Sequence, residues 1–135
     1  MILISTNPVA VIVDSSVWIE YLQGMPSVFI DESINESRIV LPPLVLSELM
    51  SGKAKAGYEK YFVALLDTLR LHHCPRSHWM DVGVLRQKLS QKGFTVTISD
   101  AHIAQCALDS GSVLFSFDKI FEKISPLCGL KLFKI

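Results

Sequence analysis

Charge is scarce in this chain. Charged residues make up 19% of its 135, against about a quarter in ordinary soluble domains. The charge is also balanced, with 13 basic and 13 acidic residues, so net charge exerts no overall pull toward a polyanion. Apolar runs are short. None approaches the roughly 20 residues a helix needs to cross a bilayer, and the opening MILISTNPVA lacks the basic start and long apolar stretch of a secretory signal. Cysteine is sparse as well: Cys74, Cys106 and Cys128 are odd in number and contain no C-x-x-C pair. No disulfide framework is expected, and a reducing cytoplasm is. Internal repeats and low-complexity segments are absent. What remains is a chain half of whose residues are hydrophobic, which suits one domain over residues 1–135 with one core and some apolar surface left for a partner or a second copy.

Hydrophobic patterning points to an α/β fold. Residues 9–14, VAVIVD, begin with five apolar side chains, four of them β-branched, the signature of a strand buried on both faces. Further strands are expected at 38–41, 71–74, 113–117 and 130–133. Helices are expected at 17–22, 27–34, 44–50, 54–69, 77–91 and 98–110, with Pro43 at a first helical position and Gly93 and Gly111 as terminators. Strands alternating with helices predict a three-layer α/β/α sandwich around a mainly parallel sheet of four to five strands. In such sheets ligands bind beyond the carboxyl ends of the strands, where Asp14 and Asp118 are expected.

Two more acids sit where acids seldom do. Glu48 follows Leu44 by four residues and Val45 by three, and so shares their helix face. Asp100 heads the stripe formed by Ile103, Ala104 and Ala107. Each acid has an ordinary explanation: Asp14 as a helix cap, Asp100 in a capping box with Thr97, Glu48 as a surface acid, Asp118 as a turn residue. Four on one sheet edge are harder to explain that way. Two carboxylates about 5 Å apart repel by roughly 3 kcal/mol at an effective dielectric near 20, a large cost for a marginally stable domain. Such a cluster takes up protons or holds a cation, and all-oxygen donors suit Mg²⁺ or Mn²⁺. Hard divalent ions in carboxylate cages serve phosphoryl chemistry. Sequestering four acids would also leave nine against 13 basic residues elsewhere, a balance compatible with a polyanionic partner.

The segments D-S-S-V-W-I at 14–19, S-E-L at 47–49, S-D-A-H-I-A at 99–104 and L-F-S-F-D-K-I-F at 114–121 resemble, in order, the motifs of the PIN domain, and most closely those of VapC-type toxins of toxin–antitoxin pairs. The resemblance implies a Mg²⁺-dependent endoribonuclease, usually a homodimer, neutralised by a cognate antitoxin. It assigns Asp14, Glu48 and Asp100 as the core acids and Asp118 as the fourth, more variable one. Ser16 falls on the small polar position after the first acid, and Ser116 where the family commonly has Thr. The chain departs from the pattern in three places: Ile120 replaces a second late acid, about eight residues precede the first strand, and Phe117 makes the last motif more apolar.

Other candidates are weaker. His72-His73-Cys74 is by itself a poor chelate, since adjacent side chains of a strand point to opposite faces. His102 is expected on a helix surface, and Trp18 in packing. Lys53, Lys55 and Lys60 follow Glu48 closely and are candidate RNA contacts. Two other kinds of protein share some of these features. One is a non-catalytic PIN-like module. The other is an aspartate phosphoacceptor domain, which would want a further acid before Asp14. A haloacid-dehalogenase-type phosphatase would need a second Asp two residues on, where Ser16 stands.

Overall fold

Every residue of the first strand is buried, and the whole architecture follows from covering it. The computed structural model describes residues 9–51 and 57–134. Strand β1 (Val11–Val13) is followed by helices α1 (Ser15–Leu22) and α2 (Val28–Asn35), strand β2 (Val40–Leu41), helices α3 (Pro43–Met50) and α4 (Tyr58–Leu65), and strand β3 (Arg70–Leu71). The second half runs α5 (Arg76–Gln91), α6 (Ile98–Ser110), β4 (Val113–Phe115), α7 (Ile120–Cys128) and β5 (Lys131–Leu132). Val11, Ile12 and Val13 are each at most 1% exposed. Alternate side chains of a strand point to opposite faces, so both faces of β1 are covered.

Among the described residues every strand pairing is parallel: β1 with β4, β4 with β5, and β2 with β3. A bridge between Val11 and Ile39 joins the two groups, giving the spatial order β3-β2-β1-β4-β5. The first half of the chain therefore builds outward from β1 on one side. The second half returns to β1 and builds outward on the other. The order reverses between β1 and β4, and that crevice is where open parallel sheets place their ligands.

The expected architecture is present, and the elements differ in extent. Strands are shorter than patterning suggested; the expected strand at 71–74 is the two-residue β3 followed by an irregular extended segment. Of the expected helix at 54–69, residues 54–56 lie outside the described residues; α4 starts at Tyr58, directly after Gly57, whose φ of 107° is a left-handed conformation that no helix continues through. It then tightens into a 3₁₀ turn at Leu66–Thr68. Helix α7 was not expected, since Pro126 lies inside it. Its buried residues Phe121 and Ile124 lie three apart and seat it on the core before the proline interrupts the ladder.

The core extends beneath the crevice. Trp18 is fully buried, edge-on to Phe62 with ring centroids 5.5 Å apart. Helix α6 is enclosed nearly all round, with Ala101, His102, Ile103, Ala104, Cys106 and Ala107 all buried. That corrects the expected surface position of His102: α6 packs against α5, α3 and β4, so it has no wet face at this level.

Candidate active site

Asp14 follows β1 directly and keeps only 6% of its surface exposed. Its backbone N–H donates to Phe115 O at 2.9 Å, which ties the end of β1 to the end of β4. Its carboxylate Oδ1 accepts the Ser15 N–H at 2.8 Å and so caps α1. Oδ2 accepts the Ser116 hydroxyl at 2.7 Å and makes a longer 3.4 Å contact with Ser16 Oγ. Cap and cluster member are therefore the same residue, each carboxylate oxygen serving one role.

Glu48 reaches the same place from α3. It is exposed, and its two oxygens accept hydroxyls from two other elements: Ser15 Oγ–H on Oε2 and Ser99 Oγ–H on Oε1, each at 3.2 Å. Ser15 Oγ also lies 3.5 Å from Asp14 Oδ1, so one hydroxyl stands between two acids. Asp100 is half-buried in the first turn of α6, where its N–H donates to the Thr97 Oγ1 cap at 3.1 Å. Its carboxyl is pushed above the ordinary range, first by burial and then by the charge of Asp118; Asp14 and Glu48 add to the rise and the Thr97 hydroxyl opposes it. Asp118 is exposed and fixed by two local bonds, its N–H to Ser116 Oγ and its Oδ1 from Ile120 N–H, both 3.0 Å.

All four predicted acids are thus gathered at the carboxyl edge of the sheet, around the crevice between β1 and β4. Among the described residues, the ion pairs are Arg38 with Glu36 and His78 with Asp109, so none of the four has a cationic side chain beside it. Four acids with hydroxyl neighbours and, among the described residues, no cationic partner form an oxygen donor set of the kind a hard divalent cation takes. Residues Asp14, Glu48, Asp100 and Asp118 would hold it.

Ser15 and Ser99 were not singled out in the sequence, although each adjoins an assigned acid. Ser116 has the central polar position, donating to Asp14 while accepting from Asp118. Ser116→Ala is expected to lower Mn²⁺ affinity by about 10–100-fold, measured by calorimetry. Ser16→Ala is expected to change it far less, because the 3.4 Å contact is long for a hydroxyl bond. Ile120, where the resemblance would have a second acid, instead packs against the core. His102 is buried away from the carboxylates, bonded to His78. Burial, and then the neighbouring His78 and His72, push its pKa down to about 4, so it is a neutral core imidazole.

Of the lysines predicted to meet RNA, Lys53 and Lys55 lie outside the described residues, and Lys60 is exposed on α4. On the other flank, Ser116 and Asp118 border a groove of about 680 Å³ that also takes in Phe117, Lys119 and Lys134.

The model of one family, the PIN domain, matches residues 11–126. The chain belongs to the PIN domain family. Solved structures share its fold. VapBC2 from Rickettsia felis, bound to a DNA fragment from its promoter, has a chain with a TM-score of 0.73 at 19% identity, covering 92% of this chain and 97% of that one. DNA-bound VapBC from Salmonella typhimurium gives 0.71 at 20%, covering 93% and 98%. VapBC-5 from Mycobacterium tuberculosis gives 0.66 at 19%, covering 95% and 100%. These PIN-like chains span nearly the same length as this one, so the domain carries no large insertion relative to them.

Proposed function

We infer that this PIN domain is a Mg²⁺-dependent endoribonuclease, with Mn²⁺ as a substitute, and the toxin half of a toxin–antitoxin pair. The observation that carries the reading is the convergence of Asp14, Glu48, Asp100 and Asp118 without a cationic partner among the described residues. Nucleases are the common chemistry of the family's toxins, and several structures sharing the fold are of toxin–antitoxin complexes, among them one from Klebsiella pneumoniae.

When bound, the ion supplies a nucleophile by lowering the pKa of a water, and it neutralises charge on the scissile phosphate. The chain's own residues do the rest. Asp14 is held by Ser15 N–H and Ser116 Oγ–H, so its free lone pairs face the crevice without a search over rotamers. Ser15 and Ser99 fix Glu48 in the same way. The Asp100 carboxyl is raised first by burial and then by the charges of Asp118, Asp14 and Glu48, and a cation would offset the second of these. Lys119, Lys134 and exposed Phe117, which line the groove beside Asp118, would offer phosphate contacts and a stacking surface for a single-stranded segment; exposed Lys60 would add a further phosphate contact.

The test is cleavage of RNA by purified protein with Mg²⁺ or Mn²⁺ and its loss in chelator. Mn²⁺ at about 100 times its dissociation constant should stabilise the fold by about 2.7 kcal/mol, a rise in Tm of about 10 °C, measured by thermal melting. No metal-induced shift and no cleavage would favour the non-catalytic module.

The antitoxin is expected to cover an apolar part of the surface. Tyr61 and Val63 on α4 are 68% and 48% exposed, and the same residues suit a homodimer contact. Among the described residues no helix is long and apolar enough to cross a membrane, and the proposed site of action is the cytoplasm.

A further inference from the structure

Away from the carboxylates, the structure assembles a second set of donors. His72, Cys74, His78 and Cys106 each offer a ligand atom, and these atoms all lie within 4.8 Å of one another. His72 and Cys74 are two apart in the extended segment after β3, whose register is held by the His72 N–H to Leu41 O bond at 2.9 Å. Alternation turns both inward and leaves His73 outside; His72 and Cys74 are partly buried and His73 is exposed. His78 enters from the first turn of α5 and Cys106 from the middle of α6, 28 residues on. The triplet that is a poor chelate alone is completed by two helices packed against it.

We propose that His72, Cys74, His78 and Cys106 form a Cys₂His₂ centre for Zn²⁺ that fastens the β3–α5 segment to α6. Two thiols and two imidazoles are the donors zinc prefers, and the carboxylate crevice has neither. Zinc–sulfur bonds of about 2.3 Å and zinc–nitrogen bonds of about 2.0 Å set tetrahedral edges of roughly 3.5 Å. Side-chain movements of about an ångström therefore close the shell.

The outer contacts fit as well. His78 Nδ1 lies 3.0 Å from Asp109 Oδ2. This is the carboxylate–histidine arrangement that orients a metal-bound imidazole and leaves its other nitrogen free to ligate. That nitrogen, Nε2, lies 4.0 Å from Cys106 Sγ and 2.8 Å from His102 Nδ1, and it carries the lone pair when Nδ1–H donates to Asp109. Zinc would take this lone pair in place of His102, which stays stacked on Trp79 with ring centroids 4.7 Å apart. Four protein ligands leave no open position, so the centre is structural. Cys106 sits six residues beyond Asp100 on the same helix, about 9 Å along its axis, so the centre would brace the helix that presents an active-site acid without joining that site.

The test uses the full chain, stripped of metal under reducing conditions and titrated with Co²⁺. One equivalent should produce a thiolate-to-cobalt charge-transfer band with tetrahedral d–d absorption, and Zn²⁺ should bleach both. Cys74→Ser should weaken Zn²⁺ binding by about a hundredfold or more, and Cys106→Ser likewise where it folds. Cys128→Ser and Asp14→Asn should keep the bands, which separates this centre from the carboxylate site. The proposal is overturned if the wild type shows no charge-transfer band, if Cys74→Ser leaves the band unchanged, or if Cys74 and Cys106 join in a disulfide while zinc is present.

Discussion

Asp14→Asn is expected to abolish metal-dependent RNA cleavage, by on the order of a thousandfold, while leaving the fold intact. The amide is nearly the same shape as the carboxylate. Its oxygen can still accept the Ser15 N–H and cap α1, and the Ser116 hydroxyl can rotate to accept from the new NH₂. What the substitution removes is one full negative charge from the most buried of the four acids. In chelator that removal relieves repulsion, so Tm should stay level or rise by a few degrees. With Mn²⁺ present the order should reverse, the wild type gaining stability and the variant little. Opposite signs for stability and activity distinguish a cation-binding carboxylate from a structural cap, which Asn would preserve and whose stability would not depend on Mn²⁺. Full activity in Asp14→Asn would remove the basis of the nuclease assignment.

Trp18→Ala is expected to cost about 3–5 kcal/mol, a fall in Tm of roughly 10–20 °C, read from urea and thermal melts. Trp18 is completely enclosed, against Phe62 and with Tyr21 6.0 Å away edge-on. The lost ring leaves a cavity under the helix that Asp14 caps, so part of the activity should go with the stability. Trp18→Phe should cost much less than Ala. The indole Nε1 is buried with no hydrogen-bond partner, and an unsatisfied donor of that kind carries a penalty of about 1–3 kcal/mol. Phe removes the donor together with part of the volume, and the two effects oppose. A Phe loss as large as its missing volume alone would cost would mean that the orphaned N–H costs nothing.

The fold and the carboxylate crevice were legible for the same reason: both depend on short-range pattern. A β-branched run marks β1, an acid at its end marks the strand's carboxyl edge, and the spacing of Glu48 to Leu44 and Val45 places it on a helix face that meets the sheet. Less legible were features set by what packs against an element. His102 looks like a surface residue because nothing in residues 98–110 announces that α5, α3 and β4 surround the helix. Helix α7 was masked by Pro126, although its apolar spacing is regular. The start of α4 depends on one backbone angle at Gly57. The grouping of His72 and Cys74 with His78 and Cys106 needs the docking of two helices, which no local spacing encodes.

The strand order has a consequence for synthesis. Asp14 and Ser116, bonded in the finished protein, are 102 residues apart in the chain, and β1 lies between neighbours drawn from opposite halves. Strand β1 emerges from the ribosome before β4 and must wait for it before its second edge is paired, a distant closure of the kind that slows folding. An incomplete chain that stops short of β4 has no crevice at all. The crevice therefore exists only once synthesis has passed β4.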